Sequence, residues 1–250
     1  MKTRCVTTAR NKQKSKTKTK IIEDPVSIAL ISDTPGYRMK SYGPAALLPI
    51  TARYRLIDVQ ISSINKVFSQ AEIVLCVGFE ADKITRYIKS KYKNLDIRIV
   101  ENQLFSETNS CEALRLCLNN INNKKLFLMN GNLLFDYKTL RNDNMQHSCI
   151  FIEDQNEQLD IGANVNEDIC VEYFSFGASK CWSEIIFLHN EEIIQSLWNI
   201  VSGESYKKKF IFEALNELIK LKFDIKGINN KYAVKKINNI KIYHEIRNNK

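Results

Sequence analysis

A strand-like run, Ser27-Ile28-Ala29-Leu30-Ile31, opens into Ser32-Asp33-Thr34-Pro35-Gly36-Tyr37-Arg38-Met39. In a parallel α/β fold this is where a loop cradles phosphates, since backbone N–H groups and small residues let an anion approach the chain. Arg38 adds a positive charge, and Gly36 is a single glycine where such loops usually carry two or more. Other chemistry is scarce. His147, His189 and His244 are far apart and fall in no nucleophile or metal pattern, and there is neither a Gly-x-Ser-x-Gly elbow nor a Walker-type loop. The seven cysteines are scattered, without a Cys-x-x-Cys pair, so they read as reduced thiols rather than a disulfide framework or a zinc site. Trp182 and Trp198 read as packing against a sheet rather than stacking on bases.

Charge is unevenly placed. Residues 1–20 hold Lys2, Arg4, Arg10, Lys12, Lys14, Lys16, Lys18 and Lys20 and no acid; the formal net charge of +9 less these eight leaves the body at +1. A segment this rich in Lys, Thr and Gln buries too little apolar surface to offset its ordering entropy, so a flexible basic arm is expected over residues 1–20. Lys12, Lys14, Lys16, Lys18 and Lys20 would contact nucleic acid or another acidic assembly by releasing counterions; the competing reading is a solubilising tail. Their alternating spacing offers no base-reading element.

The elements that must position the loop follow from periodicity. Composition, 44% hydrophobic and 10% aromatic over 250 residues, is ample for one core, and a single domain is expected over residues 21–250. Strands are predicted at residues 26–31, 73–77, 97–100, 126–129, 148–153 and 170–175, and helices at 58–68, 81–91, 109–119, 191–202 and 210–221. Their alternation predicts an α/β fold: an open, mostly parallel, Rossmann-like sheet with helices on both faces and ligand chemistry at the carboxyl ends of the strands. No apolar run approaches the ~20 residues of a membrane span, and no apolar leader opens the chain, so the protein is expected inside a cell, in the cytoplasm, without a membrane partner.

Six fragments in order carry a resemblance. Residues 30–39 resemble the Leu-Ala-Ala-Gly-x-Gly-x-Arg-Met signature of the nucleotidyltransferases that join a nucleoside triphosphate to a sugar phosphate or phosphocholine. Pro44-Ala45-Ala46-Leu47-Leu48-Pro49-Ile50 resembles their Pro-Lys-x-Leu-Leu-Pro-Val segment, and Leu56-Ile57-Asp58 their Leu-Ile-Asp. Val77-Gly78-Phe79 with Ile84, Asn102 with Thr108-Asn109-Ser110, and Gly131-Asn132-Leu133-Leu134-Phe135-Asp136 are similar to the family's Val-Gly-Tyr…Ile, Asn…Thr-Asn and Gly-Asp-x-Leu-Phe. The length and the C-terminal pattern are most similar to the phosphocholine cytidylyltransferase branch.

The resemblance implies a nucleotidyltransferase (GT-A-like) architecture, in which backbone N–H groups, cations and magnesium hold several phosphate charges while an α-phosphate is attacked. It places Ser32, Gly36, Arg38, Asn109 and Ser110 at the nucleotide, with Arg38 on the phosphates. It also implies losses. Thr34 stands for the first loop glycine, Ala45 for the lysine of Pro-Lys, and Asn132 for the metal aspartate of Gly-Asp. Tyr232-Ala233-Val234-Lys235-Lys236-Ile237-Asn238-Asn239 resembles Glu-Ile-Asp-Thr-x-x-Asp and sets Lys235 at the second metal aspartate, leaving Asp136 as the fallback carboxylate. Lys235 reads either as a solvated surface charge or as an ammonium that takes the metal's space and pairs with a phosphate.

Two functions stay open. The preferred one is a degenerate member, a pseudoenzyme that needs no cofactor, keeps the fold as a binding or structural component, and docks through its basic arm. The alternative is an active, magnesium-dependent enzyme moving a nucleoside monophosphate from CTP or another nucleoside triphosphate to phosphocholine or a sugar phosphate.

Overall fold

A computed structural model of the chain describes residues 24–36, 38–141, 145–154 and 160–248. The expected arm, with Lys12, Lys14, Lys16, Lys18 and Lys20, lies outside the described residues, as do Ile21 and Ile22.

The first half is a run of strand–helix units: β1 (Val26–Ser32), α1 (Leu56–Val67), β2 (Ala71–Val77), α2 (Ala81–Lys91), β3 (Ile97–Glu101), α3 (Ser110–Leu118) and β4 (Leu126–Asn130). The second half has β5 (Leu133–Leu134), β6 (Cys149–Glu153), β7 (Ile161–Val165), β8 (Val171–Phe176), β9 (Lys180–Leu188), α4 (Glu191–Val201), α5 (Ile211–Lys220), β10 (Lys226–Asn229), β11 (Lys235–Lys236) and α6 (Ile240–Asn248). The main sheet runs β10-β6-β9-β4-β1-β2-β3. β1 is parallel to both β2 and β4, β2 is parallel to β3, and β10 is parallel to β6; β9 lies antiparallel between β4 and β6. The sheet is therefore open and mostly parallel, as expected. β1 and β2 read as near-continuous apolar runs because both faces are covered.

Side-chain alternation along β1 divides the core. Val26, Ile28 and Leu30 join Ile57, Ile61 and Ile64 of α1 and Ile84 and Ile88 of α2 on one face. Ala29 and Ile31 join Cys111, Leu114 and Cys117 of α3, Leu197 of α4 and Leu215 of α5 on the other. The β1–α1–β2 and β3–α3–β4 connections thus lie on opposite faces, so strand order reverses between β1 and β4. A crevice opens at the carboxyl ends of such a strand pair. A third apolar group packs Tyr243 and Ile246 of α6 on Met39, Ala45, Leu48 and Leu56, so the C-terminal helix braces the segments that follow β1. Burial pushes the Cys111 and Cys149 thiols up to about 12, which keeps them inert core residues.

Candidate functional site

A cleft of about 300 Å³ sits at this crevice. Its floor is built by glycine. A Cβ on Gly131 would come within 1.6 Å of Ser32 Oγ, so only glycine lets the chain leaving β4 cross the end of β1. Gly78 does the same one strand over, where a Cβ would meet the Asp33 carbonyl oxygen at 2.5 Å. That contact lets Phe79 N–H donate to the Asp33 carbonyl at 2.7 Å and ties the head of α2 to the loop after β1.

Ser32, Thr34, Gly36, Ala45, Asn109, Ser110 and Asn132 all line this cleft, so most of the positions named from sequence are brought together. Arg38 is not among its lining residues; it is exposed, with φ 54°, a left-handed backbone conformation that side chains adopt only at some cost. Asp136 is exposed and caps the turn that follows it, its carboxylate accepting from Lys138 N–H at 2.9 Å. Lys235 lies with Asp136 in a separate hollow. The structure puts Lys236, not Lys235, into the cleft. The two-residue strand β11 pairs antiparallel with β5, Lys236 opposite Leu133 and Lys235 opposite Leu134, and successive strand residues point to opposite faces. A one-residue slip in alignment therefore exchanges the lysine inside for the lysine outside.

Of the polar lining residues, five were not singled out from sequence: Asp33, Asn130, Glu184, Lys236 and Asn238. Glu184 enters from the middle of β9, where the register against β6 shifts between Ile150 and Ile152. It has φ 59°. A non-glycine residue in that region costs on the order of 1–3 kcal/mol and persists where its surroundings hold it. What holds it is visible: Glu184 Oε1 pairs with Lys236 Nζ, and Glu184 Oε2 accepts from Asn130 Nδ2 at 2.5 Å. The signal available in sequence was a lone carboxylate within the apolar run Ser183-Glu184-Ile185-Ile186-Phe187.

Asp33 is the other lining acid. Burial raises its carboxyl above the usual carboxylate range, partly offset by Asn102 Nδ2, which donates to it at 2.9 Å. Asn109 caps α3, its side chain accepting from Ser110 N–H at 2.8 Å, while Cys111 N–H donates to the Lys209 carbonyl and Glu112 N–H to the Asn109 carbonyl. The first N–H groups of this helix are thus already engaged. Ser32 Oγ and Asn132 Oδ1 are buried and lack a hydrogen-bond partner among the described residues. Buried polar atoms without partners are rare and mark places where a ligand or water completes the bonding.

Magnesium asks for hard anionic oxygens, usually one or two carboxylates beside phosphate oxygens. The donor set here fits it poorly. Asn132 offers a neutral carbonyl, Asp33 is buried and already accepts from Asn102 Nδ2, and both oxygens of Glu184 are engaged, one of them by an ammonium that would repel a dication. Among the described residues, no group of three or more His, Cys, Asp or Glu side chains is placed to hold a metal. Nor is any helix among them long and apolar enough to cross a membrane.

The sheet order, the reversal between β1 and β4 and the glycine-floored cleft together define the nucleotidyltransferase fold. Solved structures similar to the chain are of that kind. The CTP:phosphocholine cytidylyltransferase LicC of Streptococcus pneumoniae has a TM-score of 0.74 and 15% identity, covering 89% of this chain and 98% of its own. A UDP-glucose pyrophosphorylase complexed with UDP-glucose gives 0.72 and 14%, covering 91% and 98%. The inositol-1-phosphate CTP transferase of T. maritima gives 0.68 and 14%, covering 88% and 94%. No protein-family model matches the sequence, and no curated protein matches it.

Proposed function

We propose that the chain binds a nucleoside triphosphate in this cleft without transferring its nucleotidyl group, and that it serves as a binding component. The observation that carries the reading is the charge of the cleft: a neutral amide, Asn132, and an ammonium, Lys236, line it beside a Glu184 carboxylate that is already ion-paired, a set that suits an anion better than the magnesium that transfer chemistry calls for, while Gly78 and Gly131 shape its floor. Loss of the charge-bearing positions with retention of the scaffold is what a binding role tolerates and phosphoryl chemistry does not. An active enzyme is the competing reading, and it rests on Asp33 and Glu184, two carboxylates that do line the cleft.

Residues 1–20 complete the proposal by docking the protein to nucleic acid or to another polyanionic assembly through Lys12, Lys14, Lys16, Lys18 and Lys20. Calorimetric titration with CTP and other nucleoside triphosphates, followed by assay of the same samples for pyrophosphate release with phosphocholine and sugar phosphates, tests the first part. Binding without release supports it; magnesium-dependent release overturns it. Removing residues 1–20 is expected to abolish salt-sensitive retention on single-stranded DNA while leaving nucleotide binding intact. Retention that survives the truncation would sink the docking role.

A further inference from the structure

The ion pair at the cleft is unusual for a structural contact. It joins a carboxylate on a strained residue of β9 to a lysine on the two-residue strand β11, and both line the cleft whose wall holds the orphaned Ser32 Oγ and Asn132 Oδ1. We propose that Lys236 is a resident cation for the phosphate groups of the ligand, that Glu184 holds it in place until a phosphate displaces the carboxylate, and that binding therefore needs no divalent ion. This rests on the reading that the cleft takes a nucleotide, and it names the ligand chemistry as a pyrophosphate-type anion, free or carried on a nucleoside.

Three observations lead there. Among the described residues lining the cleft Lys236 is the only cation, and α3 offers no free N–H in its first turn to share the task. The lysine side chain is 32% exposed and Glu184 is 11% exposed, so the ammonium can be reached from solvent while its present partner lies deeper. The wall supplies neutral groups suited to phosphate oxygens: the Ser32 hydroxyl, which can donate, and the amides of Asn130 and Asn132. Asn130 now spends its N–H on Glu184, and release of that carboxylate frees it for the ligand together with the lysine. No bond is made or broken in this exchange; one anion replaces another on the same donors.

The sign of each substitution follows. Removing the ammonium removes an attraction to every phosphate form, whereas removing the negative charge of Glu184 removes both a repulsion and a competitor. For charges a few Å apart near a surface each effect is roughly five- to tenfold in affinity. The test uses the full chain, titrated calorimetrically with pyrophosphate and with CTP, in EDTA and then in magnesium. The expected result is binding of both ligands in EDTA, weakened about tenfold by Lys236→Gln, preserved by Lys236→Arg and tightened by Glu184→Gln. Tightening is a gain that a misfolded variant cannot mimic. CTP binding only with magnesium overturns this inference and leaves the nucleotide-binding reading standing, as does binding in EDTA that is indifferent to both substitutions. Failure of both ligands to bind under either condition overturns the two together.

Discussion

Asp58 offers the sharpest energetic test of how the site is held. Its side chain is 1% exposed and gathers four donors: Arg55 N–H at 2.7 Å, the Tyr87 hydroxyl at 2.7 Å, the Tyr92 hydroxyl at 2.5 Å and Lys91 Nζ at 2.9 Å. The first bond caps α1, and the others tie α1 to α2 and its C-terminal end. Arg55, the residue capped, donates through Nη1 to the Leu47 carbonyl at 2.9 Å, next to Ala45 and Ala46 of the cleft wall. Asp58→Ala deletes the acceptor and leaves two hydroxyls and one N–H to find water. The lost cap contributes ~1 kcal/mol. Hydrogen bonds to a charged acceptor contribute ~1.5–3 kcal/mol each, but the two tyrosines share one carboxylate and are not additive. Lys91 is 36% exposed and adds little against solvent screening. The sum is ~3–4 kcal/mol, a shift of roughly 6–15 °C in Tm for a domain of this size. Urea unfolding followed by circular dichroism should show a lower midpoint at unchanged slope. Tyr87→Phe, which removes one donor and leaves the acceptor, should cost ~1 kcal/mol. A loss under ~1 kcal/mol for Asp58→Ala would refute the reasoning, because the network would then be a surface feature rather than a brace.

The two buried aspartates should oppose each other in acid. Burial raises the Asp58 carboxyl, but bonds from Tyr92, Arg55 N–H, Lys91 and Tyr87 outweigh it and hold the folded value below the ordinary 3.8. Its stabilisation is present above that value and is lost as pH falls through the lowered one. Asp33 is raised, chiefly by burial, so its contribution is present below 3.8 and is lost as pH rises through its folded value. Asp33→Asn is therefore expected to stabilise the protein at neutral pH and to lose that advantage in acid; thermal melts at pH 7 and pH 3 check it, and destabilisation at pH 7 would contradict it. Gly131→Ala should cost ~3 kcal/mol or more, since its Cβ would overlap Ser32 Oγ, and should abolish ligand binding in any folded fraction; a wild-type melt would show that the crossing of β1 and β4 is not tight.

The first half of the fold was legible because its signals are local. The strands predicted at residues 26–31, 73–77, 97–100 and 126–129 became β1 to β4 with ends moved by no more than two residues, and the helix over 81–91 is α2 itself. Apolar runs buried on both faces and helices with one apolar stripe announce themselves without knowledge of their partners. In the second half the strands predicted at residues 148–153 and 170–175 became β6 and β8 and the helices over 191–202 and 210–221 became α4 and α5, while the remaining strands depend on partners. β9 is a central strand, yet Glu184 interrupts it, and a charge at that place is tolerable only through the shifted register and the distant Lys236. β7, β10 and β11 are short, contain Gly, Asn or Lys, and are strands because β8 and β9 receive the first, β6 the second and β5 the third. The cleft shows the same division. Gly131 and Asn132 were readable from their motif, whereas Lys236 rather than Lys235 was decided by the pairing of two residues. Asp33 was in view throughout as part of the loop, but its burial against Asn102, 69 positions away, is a tertiary fact.

The central claim is that this nucleotidyltransferase fold holds a nucleotide and does not transfer it. The most direct measurement is pyrophosphate release by the purified full chain at saturating CTP with magnesium, offered phosphocholine and a panel of sugar phosphates, alongside calorimetry of the same samples. The account predicts a binding isotherm and no pyrophosphate above the protein-free background. Sustained, magnesium-dependent release with any acceptor would contradict it and would make Asp33 and Glu184 working metal ligands.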